Sequence, residues 1–327
     1  MYLFAINTRA GNGRGQKVWQ SVQTELQRRN IAHSAVIMDD AHSAIPLIKQ
    51  QMTILNQTES GASLLSAIVV IGGDGTIHSL LPLFEGNRIP IGIIPAGSGN
   101  DTARTFHIPS SPIAALDHIL TGKANEIDLI QTFFPSEQHH NEQSTSSGKL
   151  SLTLTAVASG LDSAIAAAVN RSTYKKWCNR LGIGSFAYLI GVFQTLTTYR
   201  PMPIEITVDN KLHRYERGWL TAVANGTSYG GGLRICPDAD PSDRQLDICI
   251  LHSCSRLQLL RLLPMLLIGT HTKSRYVTML RGKRIMISPA ASSQTSYLTA
   301  YGDGEELSTA PYEAVVKPSA LQLISSG

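Results

Sequence analysis

A run of β-branched residues, Ile68 to Ile71, ends in Gly72-Gly73-Asp74-Gly75-Thr76. Glycines let a ligand lie against the backbone, and a helix starting at Thr76 aims its first amides and its dipole at the same point. That chemistry suits a phosphate. Asp74 is out of place as a phosphate contact but sensible if it holds a cation or a water-bound Mg2+ beside that phosphate; its plainer reading is a helix cap. One strand later Ile91 to Ile94 leads into Pro95-Ala96-Gly97-Ser98-Gly99-Asn100-Asp101 ahead of another helix, a second anion- or sugar-binding turn. Alone it reads equally as a cap, since Asn and Asp are favoured there. A third turn, Asn7 to Gly15, matches neither G-x-G-x-x-G nor G-x-x-x-x-G-K, so the two commonest nucleotide folds lose support. It still offers amides and Arg9 or Arg14 to phosphates.

The elements around these turns alternate. Strands are expected at Tyr2 to Asn7, His33 to Met38, Ala67 to Ile71 and Ile89 to Ile94. Helices are expected at Gln16 to Asn30, His42 to Leu55, Ile77 to Phe84, Asp101 to Phe106 and Ser111 to Leu120. Such alternation implies a parallel sheet covered by helices, with ligands at the carboxyl ends of its strands. From Glu126 the pattern becomes β-rich: Ile127 to Phe134, Leu150 to Val157, Ile204 to Val208, Arg217 to Asn225, Leu246 to Leu251, Lys283 to Ser288 and Ala314 to Lys317. The polar stretch Pro135 to Lys149 between the first two reads as a hairpin tip, with His139-His140 a solvated pair.

Composition bounds the reading. The 327 residues fit about two domains, and 16% charged against 43% hydrophobic residues excludes a disordered chain. Lys and Arg number 28 against 24 Asp and Glu, too balanced for coating nucleic acid by charge. Four cysteines at 178, 236, 249 and 254 form no Cys-x-x-Cys pair, which suits a reduced cytoplasmic chain. The first apolar run has no basic residues before it and reads as a strand instead of a signal peptide, and Leu257 to Ile268 is too short and too interrupted to span a bilayer.

The turns at Asn7 to Gly13, Gly72 to Thr76 and Pro95 to Asp101, in this order, resemble the diacylglycerol kinase catalytic-domain superfamily, especially the soluble bacterial lipid kinases related to diacylglycerol and sphingosine kinases. The resemblance covers nearly the whole chain. It implies an NAD-kinase-like α/β domain at 1–126, a β-sandwich-like second domain at 127–314 whose tail, about 315–327, returns to the first, and a nucleotide site in the cleft between them. It implies that Asn7, Gly11, Gly72, Gly73, Gly75, Thr76 and Ser98 border ATP, with Asp74 near its phosphates and Mg2+. Arg9, Gly97, Asn100 and Asp101 join this cofactor set from their own turns. Asp243 would be the side-chain ligand of a structural Mg2+, with main-chain oxygens from Asp240 and Gln245. Tyr301-Gly302-Asp303-Gly304-Glu305 is similar to the family's Asp-Gly-Glu, which makes Glu305 the general base, with Asp303 and Asp74 beside the reaction. Thr8 stands where proline is usual, and Arg244 where glycine commonly follows the aspartate.

Between Ile248 and Gly302 there is no acidic residue, while Arg256, Arg261, Lys273, Arg275, Arg281, Lys283 and Arg284 give seven positive charges amid leucines. This reads either as a segment resting on an anionic membrane, with Pro264 breaking the helix, or as a core helix with solvated arginines. The expected protein is a cytoplasmic, peripherally membrane-associating lipid kinase using ATP and Mg2+ on a diacylglycerol-like alcohol, with no nucleic acid partner and with homodimerisation open. An NAD-kinase-like phosphotransferase and a catalytically silent nucleotide- or lipid-binding regulator are the alternatives.

Overall fold

Short runs rich in apolar residues become the strands of the first sheet: β1 Tyr2–Asn7, β2 His33–Met38, β3 Ala67–Gly72 and β4 Ile91–Pro95. In the computed structural model, which describes residues 1–56, 65–135, 148–171, 191, 193–290 and 298–325, they pair in parallel in the order β2-β1-β3-β4. Every residue of β3 and β4 is buried, as expected of parallel strands covered on both faces. The helices are α1 Ala10–Arg28, α2 Ile45–Asn56, α3 Asp74–Phe84, α4 Asp101–Thr105 and α5 Pro112–Thr121. Val18, Trp19, Val22 and Leu26 of α1 are buried at helical spacing. Ile71 pairs with Ile6 and with Ile94, so the turns after β1, β3 and β4 leave one edge of the sheet side by side.

The described residues of Met1–Ile127, with those from Ser319 onward, form one compact unit, and those from Asp128 to Pro318 form another. The second unit is antiparallel. Its elements are β5 Ala124–Phe134, β6 Lys149–Thr153, β7 Ala156–Gly160, α6 Leu161–Arg171, β8 Met202–Val208, β9 Lys211–Ala224, β10 Leu246–His252, α7 Arg256–Ile268, β11 Val277–Gly282, β12 Arg284–Pro289, β13 Thr299–Gly302, β14 Glu305–Thr309 and β15 Tyr312–Ile324. β5 and β15 belong in part to each unit, and Leu323 of β15 pairs in parallel with Ile91 of β4. The long strand β9 pairs with β8 along its first half and with β7 and β10 along its second, so one strand serves both layers of a sandwich. Ile130, Val157, Val223, Ile248, Ile285 and Ala314 fill the space inside.

Several expectations need correction. Leu150 to Val157 is not one strand but β6 and β7, parted at Leu154 and Thr155. Those two amides are drawn out of the ladder by the Asp303 carboxylate, which accepts both at 2.9 and 2.8 Å. The strand expected at Ala314 to Lys317 is thirteen residues long, and β11, β13 and β14 were not expected. Pro264 does not break α7: a capping box of Ser255 and Gln258 starts the helix, buried Leu259 and Leu262 anchor it, and Gly269 in the left-handed conformation ends it. The basic window is also less bare than its sequence suggests, because Arg281 pairs with Asp243 and Asp247 and Arg284 with Glu313. His139 and His140 lie outside the described residues.

At the centre of the second unit the Tyr312 and Ser159 hydroxyls lie 2.7 Å apart, both fully buried, and burial pushes the tyrosine up from its usual titration range. Tyr312→Phe strands the serine hydroxyl without a partner, at a cost of about 1–3 kcal/mol. The melting temperature should fall by about 2–4 °C per kcal/mol for a unit of this size; an unchanged melt would mean that the pair contributes nothing.

Candidate functional site

The turns of the first unit interlock. A Cβ added to Gly73 would sit 2.8 Å from the Cα of Gly97, and one added to Gly97 would sit 2.6 Å from the Cα of Gly73. The two backbones therefore touch where a side chain on either would collide. Gly11, at φ +56°, would bring a Cβ to 2.3 Å from the Ala96 carbonyl oxygen, so the turn after β1 backs onto the turn after β4. Asn7 ties in the rest: its Oδ1 accepts the Arg9 and Ala10 amides at 3.0 and 3.1 Å, and its Nδ2 donates to Thr76 Oγ1 at 2.9 Å. The structure thus brings together Asn7, Gly11, Gly72, Gly73, Asp74, Gly75, Thr76, Gly97, Asn100 and Asp101. Arg9 is exposed and points away to Asp39, 3.0 Å distant, while Ser98 is exposed beside them.

Asp74 resolves the puzzle of an acid in an anion-binding turn. Its Oδ2 accepts the Asp101 amide at 3.1 Å and its Oδ1 the Thr102 amide at 3.0 Å, so it caps α4 instead of its own helix. Asn100, at φ +54°, closes the same turn through its side chain, accepting from Gly97 N–H at 2.9 Å and donating to Gly97 O at 3.0 Å. Helix α3 starts on Gly73, which has no side chain with which to cap it. Its amino terminus has no side-chain cap, and the one acid of its first turn, Asp74, is bonded to α4, the electrostatic condition for holding a phosphate. Each Asp74 oxygen also keeps an acceptor position, which fits a Mg2+ ligated mainly by phosphate oxygens.

In the second unit Asp303 (φ +50°) and Gly304 (φ +87°) form the two-residue turn between β13 and β14. The Asp303 carboxylate accepts the Leu154 amide, the Thr155 amide and the Thr155 hydroxyl, the last at 2.6 Å. Thr155 O in turn accepts the Asn225 and Gly226 amides at 2.8 and 2.9 Å. Asp303 is therefore a positioning residue for its hairpin. Glu305, two residues on, is exposed and its carboxylate has no hydrogen-bond partner among the described residues, whereas Glu306 accepts from the Tyr301 hydroxyl at 2.8 Å. A recess of about 130 Å³, lined by Ser163, Ala164, Tyr199, Leu298, Tyr301 and Glu306, opens beside this hairpin. Burial pushes the Tyr199 phenol up to about 12, and its hydroxyl has no partner among the described residues.

At the segment expected to hold a structural Mg2+, protein groups already engage both Asp243 oxygens. Asp243 Oδ1 accepts the Gln245 amide at 2.9 Å and its Oδ2 pairs with Arg281; the Asp240 carbonyl accepts the Asp243 amide at 3.4 Å, and the Asp240 carboxylate takes up Ser242. Arg244 nonetheless keeps the turn, at φ +63°, because its amide donates to Asp128 Oδ2 at 2.7 Å. Burial raises the Asp247 carboxyl above the usual carboxylate range against the pull of Arg281.

Residues 1–132 match the diacylglycerol kinase catalytic domain, and residues 155–325 match the YegS C-terminal NAD kinase beta sandwich-like domain. The chain is 32% identical over 319 residues to diacylglycerol kinase of Mycobacterium tuberculosis, covering 97% of this chain and 93% of that one. The chain belongs to the diacylglycerol kinase family. A diacylglycerol kinase of Bacillus subtilis is 28% identical over 72% of this chain and 71% of its own length. A crystal structure of a diacylglycerol kinase from Bacillus anthracis shares the fold, with a TM-score of 0.68 at 18% identity over 99% of this chain and 96% of that one. Membership makes the chain a lipid kinase phosphotransferase, and kinases of this family use ATP. No helix among the described residues is long and apolar enough to cross a membrane.

Asp128 and Thr155 were missed in the sequence as members of this framework. Asp128 carries a signal, an acid inside the apolar run Ile127 to Ile130, and it is 1% exposed. Thr155 carries none, since β-branched threonine is unremarkable beside a strand. For this kinase, Gly97→Ala must push two backbones apart at a cost of about 1–3 kcal/mol. Its melting temperature should drop while that of Ser98→Ala stays at the wild-type value. A Gly97→Ala protein that melts with wild type would show that the turns are not in contact.

Proposed function

We propose that the protein transfers the γ-phosphate of ATP to the hydroxyl of a diacylglycerol-like lipid. The observation that carries this reading is the uncapped amino terminus of α3 within the interlocked turns, with the Asp74 charge directed to α4. Amides of the Gly72 to Thr76 turn would hold phosphate oxygens, with Asn7 and Asn100 keeping the turns in register. Mg2+ bound to the phosphates near Asp74 would neutralise the charge that builds up on them. Phosphoryl transfer leaves the protein chiefly positioning and electrostatics to supply. Glu305 has the free carboxylate such a reaction needs: it takes the proton of the lipid hydroxyl as that oxygen bonds to the γ-phosphorus and the bond to the bridging oxygen breaks, releasing ADP. The names of the relatives from Mycobacterium tuberculosis and Bacillus subtilis support diacylglycerol as the acceptor class.

The substrate sits in a membrane, and α7 supports docking there. Leu257, Leu267 and Ile268 are 61%, 60% and 66% exposed, and Arg261 is exposed on the same helix. Arg256 is less available, because it donates to the carbonyls of Leu196 and Tyr199. The enzyme would thus work from the membrane surface, dipping a few apolar side chains among anionic head groups.

With γ-labelled ATP, label should enter diacylglycerol in vesicles and not NAD. Glu305→Gln should lower turnover by about 10²–10⁴-fold, while Glu306→Gln stays within a few-fold of wild type. Transfer to NAD alone, or full turnover by the Glu305→Gln protein, would contradict the proposal. Flotation should recover more enzyme on anionic than on neutral vesicles, and Leu267→Ser/Ile268→Ser should reduce that recovery; equal recovery on both would remove the charge-assisted docking.

A further inference from the structure

The acidic segment of the second unit carries its own cation. Arg281 of β11 lies directly across from Asp247 of β10 in the antiparallel ladder. Its Nε is 3.1 Å from Asp247 Oδ1, and its Nη2 reaches Asp243 Oδ2. The Asp247 side chain is 8% exposed and that of Asp243 24%, so two carboxylates meet where water screens them poorly. Left alone they would repel. A guanidinium suits this task because two donors in one plane reach two carboxylates at once, which a lysine ammonium cannot copy at the same distances.

We propose that Arg281 performs the task that the family resemblance gives to a structural Mg2+, so that this diacylglycerol kinase homologue holds its 238–247 segment without a metal there. The neighbouring bonds agree. The other Asp243 oxygen is spent on the Gln245 amide, and the Arg244 amide is fixed by Asp128, so the turn is closed by protein donors throughout. A tethered cation of this kind is indifferent to chelators and to the free Mg2+ concentration.

The test uses the full, nucleotide-free chain with Mn2+ as a spectroscopic probe and melting as a second readout. Wild type should bind no Mn2+ at this segment, and its melting temperature should differ by less than about 1 °C between EDTA and excess Mg2+. Arg281→Met should lower the melting temperature by about 5 °C or more, with Arg281→Lys rescuing little of it. One tightly bound Mn2+ per wild-type chain that disappears in Asp243→Asn would overturn the proposal. So would an Arg281→Met protein that melts with wild type. Should Arg281→Met fail to fold, wild type and Asp243→Asn still decide the question by Mn2+ counting alone.

Discussion

Two backbones approach so closely at Gly73 and Gly97 that a methyl group on either would overlap the other, and the rest of the first unit is arranged around that contact. It fixes the turn after β3 against the turn after β4. Gly11 against Ala96 and Asn7 on Thr76 then bring in the turn after β1. Packing this tight leaves no room for side-chain caps, so a helix that starts there has its amides satisfied by something else. For α4 that is Asp74, reaching across from the neighbouring turn. For α3, whose first-turn amides begin at a glycine, a phosphate is the natural partner. Under the proposed function, close approach and anion binding are one property: the glycines that remove side chains between the turns also remove competitors for the ligand.

The second unit solves a related problem with carboxylates. Asp303 gathers the amides of Leu154 and Thr155, Asp128 that of Arg244, and Asp209 those of Lys283 and Arg284 at 3.1 and 3.0 Å. Each acid holds a turn by satisfying amides that the sheet ladder cannot reach. Such staples look like catalytic acids in a sequence, because both are aspartates in glycine-rich turns. Glu305 differs in that it holds nothing, being exposed on the hairpin that Asp303 secures. A structural acid is spent on its neighbours, whereas a general base must have its lone pairs available to the substrate.

How much of this could be read in advance follows from how local each cause is. The strands of the first sheet are legible within a few residues, because β1, β3 and β4 are apolar runs stopped by Asn7, Gly72 and Pro95 and β2 ends where Asp39 begins a bend. The break inside Leu150 to Val157 is not, since its cause, Asp303, lies far along the chain and the run is apolar on both sides of it. Helix α7 survives Pro264 through caps and buried leucines that a single-residue rule ignores. The turns were found as a set, but the direction of the Asp74 carboxylate depends on a helix 27 residues later. The basic window is the least legible segment, because the acids that Arg281 and Arg284 meet lie across strands and far along the chain.

Amide chemical shifts during titration with ATP test the central claim most directly. Binding at the interlocked turns predicts the largest shifts at Gly73, Asp74 and Gly75, with Thr76, Gly97, Asp101 and Thr102 moving less because protein acceptors already hold their N–H groups. Unperturbed turn amides at saturating ATP, with the shifts gathered elsewhere in the chain, would contradict it.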